Sequence, residues 1–537
     1  MYDARVQTRD GAGEVSDEVG GRYAWYVLVV LVIVYVFNFI DRQILSILAE
    51  EIKADIGLSD AEIGFLYGTV FAVFYAIFGI PLGKLADVWV RKSLIAIGLA
   101  FWSAMTALSG TARSFPALGL YRIGVGIGEA SASPAAFSSL VDWFPARLRA
   151  TALSIYSSGV YIGAGIGIFL GGWIVDAWRA AYPAGDAPLG LRGWHVAYFA
   201  VGLPGILLAL WVASLREPKR GQSEGLPEPQ RHPHPFREFG LELMAVLPPF
   251  TLLSLWRAGA GAGGIARNLA AALAIALLAW ALVTVTANAA QWTALGIGVY
   301  AAFSWAQGLR LRDAPTFALV FGTPAVLFAA GGFACIAFVS YGIGFWGAPF
   351  FIRQHGVSAS EVGTFLGLAA AVGGWIGVTV GGVVSDALRP RTPNARLWLG
   401  FAAIALSAPA AAGMLWSSSV GLAYFLNFAF SVLSPLWVGP AATTINELVL
   451  PRMRAMASAF YLLVVTFIGL ALGPYAMGKL SDAFAAGGAE PGDSLRMAML
   501  IGLLPFALSA LFFALAWNRV GPAEATKLER ARLAGEP

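Results

Sequence analysis

Four ionisable side chains stand where the surrounding sequence is almost wholly apolar. "NFIDRQILSIL" at 38–48 continues the run "RYAWYVLVVLVIVYVF" and sets Asp41 and Arg42 side by side. "GLYRIGVGIGEASASPAAF" places Arg122 and Glu129 seven residues apart. Seven residues is nearly two helical turns, so these two share a face about 10 Å apart along the axis. A charge at the centre of a bilayer costs roughly 2.5–3.5 kcal/mol on insertion scales, so such charges mark sites by default. A carboxylate beside an arginine can exchange a proton as its partner leaves and returns, and the freed arginine can take an anion. Asp41 and Glu129 are therefore expected to exchange protons, with Arg42 and Arg122 as their counter-charges. Asn38, Asp41, Arg42 and Leu45 fall at i, i+3, i+4 and i+7, one polar face of one helix. A salt bridge that only orders the bundle is the structural alternative.

The elements that carry these residues are membrane helices. The chain has 537 residues, 58% hydrophobic and 12% charged, against about 25% charged for soluble proteins. Fourteen apolar segments are read at roughly 23–49, 61–88, 92–112, 115–142, 150–177, 195–214, 266–288, 291–309, 317–352, 360–387, 396–416, 419–448, 454–482 and 495–519. Basic residues follow every even-numbered segment: Arg91 and Lys92, Arg147 and Arg149, the 216–237 cluster that includes Arg231, Arg310 and Arg312, Arg389 and Arg391, Arg452 and Arg454. The positive-inside rule puts both termini in the cytoplasm. The Ala- and Gly-rich composition points to a bacterial inner membrane.

The chain repeats itself. "GLSDAEIG" at 57–64 matches "GVSASEVG" at 356–363, and "GKLADVWVRK" at 83–92 matches "GVVSDALRPR" at 382–391, both at an offset of 299. "SPAAFSSLVDWFPARLRATA" matches "GPAATTINELVLPRMRAMA" at an offset of 306. The equivalent segments enter in the same direction, as in a parallel repeat. The expected fold is all-α: two six-helix bundles of the major facilitator type, with an extra transmembrane hairpin between them. The boundaries are a cytoplasmic tail at 1–22, a first bundle at 23–215, linker and hairpin at 216–316, a second bundle at 317–519 and a cytoplasmic tail at 520–537. The hairpin turns around Ala290 and Gln291. "LELMAVLPPFTLLSLWR", broken by Pro248 and Pro249, is read as interfacial.

"GKLADVWVRK" resembles the major facilitator signature Gly-x-Leu-Ala-Asp-x-x-Gly-Arg-Lys through Gly83, Leu85, Asp87, Arg91 and Lys92, with Val90 in place of the second glycine. Gly382, Asp386 and Arg389 form a looser second copy. The resemblance implies a gate in which the aspartate caps a neighbouring helix, pairs with the arginine and latches the cytoplasmic side of the two bundles. The arginine-and-glycine pattern after Arg122 resembles the fourth-helix motif of proton-coupled members. "NFIDRQILSIL", "GIGEASASPAAFSSLVDWFP" and "RATALSIY" together resemble the spinster branch, with Asp41, Arg42 and Glu129 on its hallmark positions. The likeness spans both halves and is weaker in the second. It implies amphiphilic substrates such as sphingosine phosphates or lysophospholipids, and protons in some members.

At the repeat offsets Ser340 and Tyr341 stand where the first half has Asp41 and Arg42. The charges thus belong to one bundle, and the second is expected to offer Ser340, Tyr341, Trp346 and Asn427, with Asn38 completing the cavity. The function expected is a secondary transporter of amphiphiles working by alternating access, coupled to protons, with Arg42 and Arg122 meeting the substrate head group. An uncoupled facilitator and a non-transporting lipid-binding receptor are the alternatives. No catalytic residues, metal site, cofactor or nucleic-acid partner is expected, since the single cysteine and the scattered histidines form no ligand set. The partners expected are membrane lipids, the substrate and protons, around a monomer.

Overall fold

The computed structural model describes residues 19–224, 232–392 and 394–536. The first 18 residues of the expected N-terminal tail and the linker stretch 225–231, with Arg231, lie outside the described residues. A backbone crossing hydrocarbon must satisfy its own hydrogen bonds, and the long apolar runs do so as helices. Among the described residues, twelve helices are long and apolar enough to cross a membrane. The first half holds α1 Arg22–Ile56, α2 Asp60–Val88, α3 Arg91–Ser109, α4 in two pieces (Phe115–Glu129 and Ala132–Trp143), α5 Ala146–Ala181 and α6 Gly193–Ser214. The insertion holds α7 Ala262–Thr286 and α8 Ala289–Arg312. The second half holds α9 Pro324–His355, α10 Ala359–Leu388, α11 Ala395–Trp416, α12 Val420–Glu447, α13 Pro451–Ala486 and α14 Pro491–Ala525. The broken α4 and the more polar α8 stand outside the twelve, so the 12 + 2 reading is approximate.

The repeat is legible as helix punctuation. α1 outruns its apolar stretch because "AEEIKADI" consists mainly of helix-compatible residues, and it stops where Gly57 takes a left-handed φ of 78° and returns its N–H to Lys53. Gly356 ends α9 in the same way at φ 65°. Ser59 then caps α2 by accepting the Glu62 N–H, and Ser358 caps α10 by accepting the Glu361 N–H. The last glycine of each block permits close crossing between bundles. A Cβ on Gly64 would lie 2.6 Å from the Pro474 carbonyl oxygen, and one on Gly363 2.9 Å from that of Ile168. Gly64→Ala is therefore expected to wedge α2 off α13, at about 1–3 kcal/mol for overpacking. A thermal unfolding midpoint equal to that of the parent would refute this.

The membrane face where α1 starts and α14 ends is the terminal side, and the opposite face is the far side. On the far side the bundles are tied by two matching caps. Asp482 of α13 accepts the backbone N–H groups of Asp60 (2.9 Å) and Ala61 (2.8 Å) at the start of α2. Asp176 of α5 accepts the Ser360 N–H (2.7 Å) at the start of α10. Each carboxylate of one bundle thus takes the unsatisfied N–H groups and positive dipole end of a helix in the other.

The insertion departs from expectation at its turn. Ala287 adopts φ 54° and Asn288 caps α8 by accepting the Gln291 N–H, so the turn lies at Ala287–Asn288, and Ala290 and Gln291 belong to the first turn of α8. Gln291 is buried and accepts a hydrogen bond from Thr69 of α2 (2.7 Å), whose hydroxyl also reaches the Ala471 carbonyl of α13 (2.7 Å). The hairpin therefore sits across the α2/α13 seam. Around Pro248 and Pro249 the chain forms two short helices, Pro235–Val246 and Thr251–Arg257, meeting at 109°. At 12 and 7 residues neither reaches across hydrocarbon alone.

Candidate functional site

Between the bundles lies a cavity of about 210 Å³. Its charged wall comes from α1 and α4. Arg42 Nε donates to Glu129 Oε2 at 2.6 Å, with the arginine side chain 17% exposed and the glutamate 0%. The guanidinium lies among three rings, 4.6 Å from the centroid of Phe71, 4.8 Å from Tyr75 and 4.9 Å from Phe39. Such contacts favour the cation and hold its orientation. Glu129 ends the first piece of α4, just before the break at Ala130–Ser131. The polar side chain beside the glutamate on its other flank is that of Asn38.

Arg122 also lines the cavity but pairs with no carboxylate among the described residues. It donates to the backbone carbonyls of Asp41 (3.2 Å) and Leu66 (3.3 Å), which ties α4 to α1 and α2. The Asp41 carboxylate points the other way. It is fully buried against α3, where the Thr106 hydroxyl and the Trp102 indole N–H are the polar groups that face it, and no cation pairs with it among the described residues. Asp41 and Arg42 are neighbours in the chain, yet about 100° of helical rotation separates them, so one faces α3 and the other the cavity. Asn38 is buried beside Glu129 rather than on the cavity wall.

The opposite wall is uncharged. Ser340 and Tyr341 of α9 line it, together with Ser431 and Ser434 of α12, and the Ser340 and Ser434 hydroxyls are 2.7 Å apart. The backbone widens at this level, with π-helical turns at Ala369–Gly373 in α10 and Val465–Ala471 in α13; Ala370 and Leu470 of these turns reach the cavity. Two expected wall residues lie elsewhere. Trp346 follows Tyr341 by five residues, about 140° around the helix; it is fully buried and donates to the Pro474 carbonyl (2.8 Å) in the α9/α13 contact. Asn427 precedes Ser431 by one turn, about 6 Å along α12, and is buried outside the cavity. Sequence reasoning missed the cage of Phe71 and Tyr75, and also Gln43, which accepts from the Tyr67 hydroxyl (2.8 Å). The i, i+4 spacing of Phe71 and Tyr75 on α2 was the available signal.

The profile of the Major Facilitator Superfamily matches residues 31–474. The chain belongs to that superfamily. Within it the protein is a spinster-type transporter. Its structure is similar to the crystal structure of a bacterial homologue of the human lysosomal transporter spinster, described as inward-facing and occupied, with a TM-score of 0.69 and 28% identity over 93% of this chain and 98% of that one. A Mycolicibacterium smegmatis protein named MFS-type efflux pump is 27% identical over 469 residues, 87% of each chain. A Bacillus subtilis probable galactarate/D-glucarate transporter is 31% identical over 203 residues, 36% of this chain and 41% of its own.

The superfamily signature at 83–92 is arranged differently from the expected latch. Arg91 is fully buried and bonds inside its own half, to Asp142 of α4 and to Glu217 just beyond α6. Arg389 likewise joins Glu447 of α12 and Glu524 of α14. In each half, one arginine just beyond the second helix thus ties the fourth and sixth through two acids. Lys92 donates to the Leu215 and Ala213 carbonyls, Gly83 faces Pro134 of α4, and Gly382 faces Gly439 of α12. Asp87 and Asp386 stand at the ends of α2 and α10. The ion pairs that cross between bundles, among the described residues, are those of Arg353 in α9, on the far side. Its guanidinium donates to both oxygens of Asp60 (2.7 Å each) and to Glu50 (2.6 and 2.9 Å). Sequence reasoning missed this cluster, although Asp176 and Asp482 stand 306 residues apart, the offset of the third repeated block.

Proposed function

We propose that this transporter moves an amphiphile with an anionic head group by alternating access and couples the movement to protons. The observation that carries the reading is Arg42, held by Glu129 on one side and open to the cavity on the other. An anionic head that draws Arg42 away leaves the Glu129 carboxylate buried without its cation. An unpaired buried charge is unfavourable by several kcal/mol, so a proton takes the place of the arginine. Arg122 adds a second cation to the same wall, and the aromatic cage together with Phe430 and Leu470 across the cavity suits a hydrocarbon tail. Asp41, buried against Thr106 and Trp102 without a paired cation, is the second proton-exchanging group. The far-side ties of Arg353, Asp176 and Asp482 support a state open toward the terminal side, and the basic residues on that side support cytoplasmic termini in a bacterial inner membrane.

A second reading is a small polyhydroxylated acid. The cavity of about 210 Å³ and its serine hydroxyls favour it, as does the likeness to a protein named as a sugar-acid transporter. Proteoliposome uptake of lysophospholipids, sphingoid phosphates and galactarate, each with and without an imposed pH gradient, separates the readings. Uptake of an anionic amphiphile, accelerated by the gradient in the parent and not in Asp41→Asn, is the expected result. Gradient-insensitive uptake in the parent would favour an uncoupled facilitator, and undiminished gradient dependence in Asp41→Asn would remove Asp41 from the mechanism.

A further inference from the structure

A second cavity, larger than the central one, lies outside it. A groove of about 660 Å³ opens between the inserted hairpin and the second bundle. Its floor is apolar: Trp305 of α8, Phe317 and Phe321 of the short helix Ala314–Phe321, and Phe460 and Leu463 of α13. The rings form a continuous ladder, with Phe317 to Phe321 at 5.1 Å, Phe321 to Phe460 at 4.8 Å and Trp305 to Phe321 at 6.2 Å. Small residues on the hairpin, Gly264 and Ala306, leave the room. A volume of this size accepts a ligand of drug size or one hydrocarbon chain.

Two arginines stand at its mouth. Arg267 is exposed and bonds only to the Gly263 carbonyl (3.3 Å) of its own helix; Arg310 is exposed and lies 5.6 Å over the Phe317 ring. Neither has a carboxylate partner among the described residues. The neighbouring acids are already paired, Glu242 with Arg312 (3.5 Å) and Asp313 with Arg452 (2.7 Å). Arg267 lies about 8 Å into α7 from its start, and Arg310 lies two residues from the end of α8, so both sit at the terminal-side end of the hairpin. Two unpaired cations at head-group depth above an aromatic groove form a site for a lipid with a negative head.

We propose that this groove binds an anionic phospholipid of the surrounding membrane, with its phosphate between Arg267 and Arg310 and one acyl chain along α13. The lipid would join the hairpin to the second bundle. The site is separate from the central cavity, with which it shares no lining residue.

The full chain, purified from nanodiscs of phosphatidylcholine mixed with phosphatidylglycerol, tests this by native mass spectrometry of retained lipid. The parent is expected to retain phosphatidylglycerol over phosphatidylcholine. R267Q/R310Q, changing two exposed side chains without ion pairs among the described residues, is expected to lose that preference by about twenty-five-fold, the product of roughly five-fold per arginine. Ala306→Phe fills the groove without altering charge and is expected to abolish retention of both lipids at this site. Equal retention of the two lipids by the parent, or phosphatidylglycerol retention unchanged in both variants, would overturn the proposal. So would displacement of the retained lipid by a transported amphiphile at its transport concentration, which would make the groove an entry path for substrate.

Discussion

Glu129→Gln is expected to bind an anionic lysophospholipid with a pH dependence one proton shallower than that of the parent, and with the parent's affinity at acid pH. The reason lies in the competition for Arg42. In the parent, the anion and the Glu129 carboxylate draw on one guanidinium, held at 2.6 Å from the glutamate. Binding the anion frees the carboxylate, which then takes a proton. Linkage is reciprocal, so if binding takes up a proton, lowering the pH tightens binding. The parent should gain up to about ten-fold in affinity per pH unit for each proton coupled. Glutamine keeps the shape and a hydrogen-bond acceptor but carries no charge, so it stands in for the protonated glutamate and frees Arg42 throughout. At alkaline pH the variant should therefore bind at least ten-fold more tightly than the parent, while uphill transport on a pH gradient is lost. Calorimetric titration over a pH series reads the slope. A variant slope equal to that of the parent would exclude Glu129 as the coupled group. Arg42→Ala is the informative contrast: it leaves Glu129 buried and unpaired, a loss of about 3–5 kcal/mol, and so should lower stability as well as binding.

Arg353→Ala should open the far side. Arg353 is the hub of the ion pairs between bundles, clasping Asp60 through two parallel bonds and Glu50 through two more. Its side chain is 7% exposed, while that of Glu50 is 28% exposed and solvent-screened. That places the loss between the surface and the buried limits, at about 1–3 kcal/mol. These bonds are made across the closed far side, so their removal weakens that state. A differential of this size changes the population ratio by roughly 5- to 150-fold. Spin labels at D186C and E490C, exposed positions on far-side loops of opposite bundles, should show a second, longer distance in the variant. Lysine at 353 keeps the charge but not the planar fork and should rescue only part of the effect. An unchanged distance distribution in Arg353→Ala would show that the far side is held without it, by the helix caps of Asp176 and Asp482 and the Ser481–Asp60 bond.

The sequence by itself determined a helical membrane protein with an internal parallel repeat, because hydrophobic length and helix punctuation are local properties. Gly57 and Gly356 end helices, Ser59 and Ser358 begin them, and each acts within four residues of its own position. The absence of charge at Ser340 and Tyr341 likewise follows from comparing one half with the other. The tertiary structure decided which way each charge points. Asp41 and Arg42 are adjacent letters, but helical rotation turns one toward Trp102 and Thr106 and the other toward Glu129 and the cavity. Trp346 left the expected wall for the same reason, turned about 140° from Tyr341. The location of the latch also needed three dimensions. The signature arginines Arg91 and Arg389 brace their own bundles, while Arg353, Asp176 and Asp482 bond across the far side to partners hundreds of residues away in sequence for Arg353 and Asp482 and 184 residues away for Asp176. Charge type and spacing can nominate such residues, but pairing between bundles depends on how two separately formed helical units pack, and no local pattern encodes that.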